Sequence, residues 1–261
     1  MNELKPYTAF SEVYDATMKN VPYAVWAEYI YNILSEFGVS SENRILEIAC
    51  GTGSLYLILK NIYYNLYALD ISLEMLKKLS QKGGKNLLAA DMKKLPFGKN
   101  TFKAIISTHD SINYMLKKTN LDEHFCETSR VLEPKGYYIF DASTEYNVIN
   151  NYHNKTFKEK HKDIVFNWKN FYDFSSNEIV STLEFQKKKE KTAKNIKEVN
   201  YSALKMSDPV FEIHRQKIYH RDEIIDSAYK NGFYLLKNAA DYVYKKNINK
   251  AQLLVYIMQK K

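Results

Sequence analysis

The chain has 261 residues, 45% of them hydrophobic and 14% aromatic, enough apolar material for one large core and too much for a disordered chain. No apolar run approaches the ~18 residues of a membrane span, and Met1-Asn2-Glu3-Leu4-Lys5-Pro6 shows no basic-then-apolar leader, so a cytoplasmic location is expected. The net charge of +8 would suggest a nucleic-acid partner, yet only Arg44, Arg130, Arg215 and Arg221 among the 38 basic residues offer guanidinium forks, which makes that partner the lesser expectation.

Residues 7–37 read as helix, with Phe10, Val13, Tyr14, Val25, Trp26, Tyr29, Ile30, Ile33 and Leu34 recurring at three- and four-residue steps. Pro22 divides them and Gly38 closes the second piece. The short apolar run 44–49 predicts a buried parallel strand. The pattern then alternates: helix near 54–62, strand 65–69, helix 72–81, strands 86–90 and 102–108, helix 120–132, strand 136–142. Strands joined by crossover helices give an α/β fold, a doubly wound and mostly parallel sheet, with its ligand crevice at the carboxyl ends of the strands.

After about residue 145 the chain turns to aromatic and Lys-rich segments, 164–174, 178–189, 194–206 and 210–220, which read as a small antiparallel β insert. Alternation through the last of these puts Phe211, Ile213 and Lys217 on one face and Glu212, His214, Gln216 and Ile218 on the other, so one face can pack while the other lines a cleft. The run Lys187-Lys188-Lys189-Glu190-Lys191 reads as a solvated turn. Residues 221–231 return to helix, and 233–239 and 252–258 supply two final strands. The expected division is thus a core over 1–145, a lid over 146–220, and a closing helix and strands over 221–261.

The sharpest local signal is Glu47-Ile48-Ala49-Cys50-Gly51-Thr52-Gly53, between a strand and a helix. Gly51 and Gly53 permit a tight turn and close ligand approach, and the helix that follows presents free N–H groups. Dinucleotide enzymes place a third glycine where this chain has Tyr56, which argues against a pyrophosphate ligand. Asp70 ends the second strand 17 residues after Gly53, near the interval at which a carboxylate meets ribose hydroxyls. It could instead cap the next helix, a role open to Ser72 as well. Asp91 ends the third strand, where it can accept the amine hydrogens of adenine with Met92 against the ring.

Together these residues resemble the class I S-adenosylmethionine (SAM)-dependent methyltransferases: Glu47-x-x-x-Gly51-x-Gly53, Asp70 with Ile71-Ser72-Leu73-Glu74-Met75-Leu76 after it, Ala90-Asp91-Met92, Leu95-Pro96-Phe97, and the strands that begin at Phe102 and end at Asp141. Asp110-Ser111-Ile112-Asn113-Tyr114 and Glu212-x-His214-x-Gln216-x-x-Tyr219 resemble a small-molecule branch with an antiparallel insert. The resemblance implies SAM as cofactor and S-adenosylhomocysteine as product. It implies Glu47 and Ala49 to Gly53 at the amino-acid end, Asp70 on ribose, Asp91 and Met92 on adenine, and Tyr14 closing over the cofactor. Trp26, Ile71, Met75 and His109 join that set. No metal is implied, and the two cysteines, Cys50 and Cys126, have neither zinc nor disulfide spacing.

Methyl transfer from a sulfonium is an in-line displacement, so the protein mainly aligns the acceptor and excludes water. Where the acceptor must lose a proton, His109 and then His214 are the candidate catalytic bases, and Asp110 is the residue expected to hold a loop through Asn113. Ser107-Thr108-His109-Asp110 is not the Pro-Pro motif of nucleobase amino-group enzymes. The expected reaction is methylation of a nitrogen or oxygen of a small molecule, with Phe166, Trp168, Tyr172, Phe185 and Tyr201 walling the pocket. An RNA or protein methyltransferase and a SAM-binding protein without turnover are the alternatives.

Overall fold

A computed structural model describes residues 2–187 and 209–261. In chain order the elements are β1 (Asn2–Leu4), α1 (Tyr14–Thr17), α2 (Tyr23–Glu36), β2 (Arg44–Ile48), α3 (Tyr56–Leu59), β3 (Asn65–Asp70), α4 (Leu73–Gln81), β4 (Leu87–Ala89), β5 (Phe102–Ser107), α5 (Lys118–Val131), β6 (Leu132–Ser143), α6 (Glu145–Asn147), β7 (Thr156–His161), β8 (Ile164–Asp173), β9 (Glu178–Lys187), β10 (Val210–Lys217), α7 (Arg221–Lys230), β11 (Phe233–Ala240) and β12 (Leu253–Lys260). The strand expected over 194–206, the lysine run beyond Lys187 and Tyr201 lie outside the described residues.

Seven strands form one sheet in the order β11-β12-β6-β5-β2-β3-β4. From β6 to β4 every pairing is parallel, and β12 runs antiparallel to both its neighbours. The apolar runs of the central strands split by the two-residue period of a pleated strand. Ile45, Ala104, Ile106, Ile139 and Ile257 face one core with Ile30, Ile33, Leu59 and Leu79 from α2 to α4. Leu46, Ile48, Ile105, Tyr138, Phe140 and Tyr256 face the other with Phe125 of α5 and Ile224 of α7. Helix α2 ends where Gly38 adopts φ +71°, as expected of a glycine just past a helix.

The second sheet, ordered β1-β10-β9-β8-β7, is antiparallel except that β1 pairs parallel with β10. Beneath it Phe10 and Val13 of the N-terminal segment pack on Phe166, Leu183, Phe185 and Val210. In β10 the polar face turns inward: Glu212 and His214 are buried while Arg215 is exposed. Among the described residues no helix is long and apolar enough to cross a membrane. Cys50 and Cys126 are free thiols.

Candidate active site

Strand β2 carries Glu47 to the carboxyl edge of the large sheet, and the chain then turns through 49–53. Ala49, Gly51 and Gly53 have φ of +54°, +54° and +81°, in the left-handed region that glycine enters without a Cβ clash. The two glycines answer different needs. A Cβ on Gly51 would meet nothing within 4 Å, whereas one on Gly53 would lie 2.2 Å from Leu79 Cδ1. Gly53 thus also makes room for α4, a packing need that the sequence pattern alone does not show.

Asp70 binds this loop from the end of β3. Its Oδ2 accepts a hydrogen bond from the Gly51 N–H and its Oδ1 one from the Ser72 N–H, each at 2.8 Å. Burial raises the Asp70 pKa, and those N–H donors oppose the rise. Ser72 caps α4, accepting the Met75 N–H on Oγ at 3.2 Å. Past the strand end Ile71 is 69% exposed, a bare apolar side chain at the crevice. Asp91 Oδ1 accepts the Lys93 N–H at 2.9 Å, its Oδ2 lies 3.5 Å from Lys93 Nζ, and Met92 packs on the core that holds Phe125.

Glu47 Oε2 has no hydrogen-bond partner among the described residues, although the side chain is only 2% exposed. Burial first, and then the nearby Asp70 charge, raises the Glu47 pKa to about 8. The carboxyl shares a narrow cleft with Tyr14, Tyr23, Ala49, Gly51, Thr52, Ser54 and His109. A buried carboxyl oxygen without a donor is costly, and it suits a ligand that brings N–H groups and positive charge. The ammonium of SAM is such a group, so the residues present fit that cofactor. Gly53, Trp26, Asp70, Ile71, Met75, Asp91 and Met92 of the expected set do not line this cleft; Trp26 stacks on Tyr242 at 4.9 Å between centroids and Met75 is buried.

A second cavity, of about 320 Å³, adjoins the first, and Tyr14 and His109 line both. Its walls include Tyr7 and Phe10 of the N-terminal segment, Asp110 and Tyr114 after β5, and Trp168, His214 and Gln216 of the small sheet. The expected aromatic wall is corrected: of the described members only Trp168 lines this chamber, Phe166 and Phe185 pack behind Phe10, and Tyr172 lines a separate cavity.

His109 Nδ1 lies 3.2 Å from the Tyr23 hydroxyl and 3.3 Å from that of Tyr14. Burial lowers its pKa to about 4, so the ring is neutral at physiological pH and weakly basic. His109 is thus placed to hold two phenols, and its low basicity speaks against the expected role as base. His214 places Nε2 3.0 Å from Glu212 Oε2 and Nδ1 2.8 Å from the Tyr114 hydroxyl, which is 2.6 Å from that of Tyr7. With both ring nitrogens engaged, His214 also fits positioning better than proton transfer.

Glu212, Asp141, Tyr7, Tyr23 and Tyr114 were missed as site residues. The fully buried Glu212 accepts the backbone N–H groups of Tyr7 and Phe10 at 2.8 and 3.0 Å, and that of Ala9 as well. Lys78 pairs with Glu12 at 2.7 Å, so the N-terminal segment is tied to the small sheet on one side and to α4 on the other. Asp141 accepts the His109 N–H at 2.9 Å and the Asp110 N–H beside it. Asp110 does not hold Asn113 through its carboxylate: Oδ1 accepts from Gln216 Nε2 at 2.8 Å, and the Asn113 N–H goes to the Asp110 carbonyl at 3.0 Å. The in-facing polar alternation of β10 and the Glu212-x-His214-x-Gln216-x-x-Tyr219 resemblance both mark Glu212 in the sequence, but neither names its backbone partners.

A family profile described as a methyltransferase domain matches residues 46–140. The chain is 30% identical over 183 residues to "Putative methyltransferase YqeM" of Bacillus subtilis (strain 168), covering 69% of this chain and 72% of that protein. Among solved structures, an S-adenosylmethionine-dependent methyltransferase from Clostridium acetobutylicum ATCC 824 superposes with a TM-score of 0.80 at 23% identity, over 97% of this chain and 98% of that one. The sugar N-methyltransferase KedS8 from Streptoalloteichus sp ATCC 53650 superposes with a TM-score of 0.72 at 14% identity, over 93% and 90% of the two chains.

Proposed function

This chain belongs to the class I SAM-dependent methyltransferases, and from that premise we propose that it methylates a nitrogen or oxygen atom of a small molecule. The observation that carries this reading is the chamber of about 320 Å³ that meets the cofactor cleft at Tyr14 and His109. Its volume suits a compact ligand. The small sheet and the N-terminal segment wall it, which suits a small acceptor better than a polymer. The sugar N-methyltransferase fold relative supports the same substrate scale.

SAM supplies a methyl group on a sulfonium, already activated for displacement. Around it Glu47 would receive the ammonium, the loop from Ala49 to Gly53 would flank the amino-acid end, and Asp70 would accept from ribose hydroxyls with lone pairs left by Gly51 and Ser72. Ile71, Asp91 and Met92 would border adenine. Tyr14, held at His109, would offer its π-face to the sulfonium. His109 and His214 keep phenols in place, and the chamber walls exclude water, so alignment carries most of the rate.

The test begins with calorimetric titration of SAM and S-adenosylhomocysteine against NAD. Methyl-labelled SAM is then incubated with the protein and a cell extract separated into small-molecule and macromolecular fractions. Label in the small-molecule fraction supports the reading. Label confined to RNA or protein, or SAM bound with no label transferred, overturns it.

A further inference from the structure

We propose that the methyl acceptor is an amine and that Asp110 is the carboxylate that receives it, an inference that rests on the small-molecule reading above. The chain carries 38 basic residues, yet among the described residues lining the chamber Asp110 and Glu159 are acids and none is Lys or Arg. A hydroxyl acceptor gains little from such a lining and an anion is repelled by it. An ammonium gains from the carboxylates and from the faces of Tyr7, Tyr14 and Trp168.

Asp110 also stands at the reacting end. It follows His109, which lines the junction of chamber and cleft. The turn is built to place it: His109 and Asp110 have φ of +62° and +52°, and both their amides are held by Asp141. Gln216 Nε2 fixes Oδ1 at 2.8 Å, and among the described residues no hydrogen bond is made to Oδ2. Burial and the neighbouring Asp141 charge raise the Asp110 pKa to about 7, so it can take and release a proton near neutrality.

The ammonium gives one proton to the Asp110 carboxylate and becomes a neutral amine. Its lone pair forms the N–C bond as the C–S bond of the sulfonium breaks, the bonding pair passing to sulfur. The product leaves as a methylammonium, and Asp110 returns its proton to solvent.

The experiment offers SAM and matched acceptors, benzylamine with benzyl alcohol and glucosamine with glucose, and reads products by mass spectrometry. Methyl is expected on amine nitrogen alone. Asp110→Asn, which keeps shape and tolerates a left-handed backbone, should lower kcat/KM for the amines by about 100-fold or more with SAM affinity retained. Gln216→Leu leaves the carboxylate but not its orientation and should lower kcat/KM by about tenfold. Methylation of alcohols only, no amine product with SAM bound, or wild-type kcat/KM in Asp110→Asn overturns the proposal. Transfer to a small acceptor in cell extract would in those cases leave the parent reading standing, whereas label confined to macromolecules removes both.

Discussion

Glu212 Oε2 and His214 Nε2, two residues apart on the inward face of β10, meet at 3.0 Å, and the same carboxylate holds the backbone of the N-terminal segment. One fully buried acid thus fixes both the His214–Tyr114–Tyr7 chain and the segment that carries Tyr14. Glu212→Gln would set an amide donor against N–H donors. The expected result is faster amide exchange over residues 7–17, a loss of roughly 1–3 kcal/mol in stability and weaker SAM binding. Hydrogen exchange read by mass spectrometry checks this, and unchanged protection across the segment would contradict it.

The two loop glycines should respond differently to alanine. At Gly53 the new Cβ would press on Leu79, which is itself fully buried, and φ is +81°, so a destabilisation of about 2–4 kcal/mol is expected. At Gly51 the space is open and only the backbone penalty applies, about 1 kcal/mol. Urea unfolding of the two variants measures the difference. Adding Leu79→Ala to Gly53→Ala should recover part of the loss, and equal destabilisation at both glycines would show that the Leu79 contact is not what matters.

The large sheet was legible because its signal is periodic and local. Ile45 and Leu46, or Ile105 and Ile106, each divide between two cores, and the glycine turn lies where a parallel strand must feed a helix. Strand β7, Thr-Phe-Lys-Glu-Lys-His, escaped notice because an edge strand carries charged side chains and little apolar pattern. Glu212 could be placed on a face but not given a task, since its partners are backbone amides more than 200 residues upstream. His109 was placed at the right strand end, but its basicity depends on burial that only the assembled fold creates.

Stability without ligand should fall as pH rises from about 6.5 to 8. His109 and His124, each lowered to about 4 by burial, bind fewer protons folded than unfolded between about 4 and their ordinary 6.5, so their contribution grows with pH there and is complete above 6.5. Glu47 and Asp110, raised to about 8 and about 7, still hold protons in the folded state that the unfolded chain has released near 4.5 and 3.8. Each further rise through the window therefore favours unfolding, by about 2 kcal/mol in all, or roughly 5 °C in Tm. Thermal melts at the two ends of the window check the sign, and Glu47→Gln should flatten most of the slope. A wild-type Tm that rises across the window would show that these carboxyls ionise freely in the fold.

The same carboxyl predicts a proton count for cofactor binding. At pH 7 a Glu47 with a pKa near 8 is mostly protonated. Seating an ammonium against the unpartnered Oε2 favours the charged form, so the proton must leave as the ligand enters. SAM binding should release close to one proton at pH 7, and affinity should climb as pH rises toward 8, by up to about tenfold per unit. Calorimetry in phosphate and in Tris, whose ionisation enthalpies differ, reads the release directly. Glu47→Gln should bind more weakly and show the same apparent enthalpy in both buffers. If the wild-type enthalpy is also independent of buffer, Glu47 keeps its proton and meets the cofactor as a hydrogen-bond donor, which would move the ammonium away from this side chain.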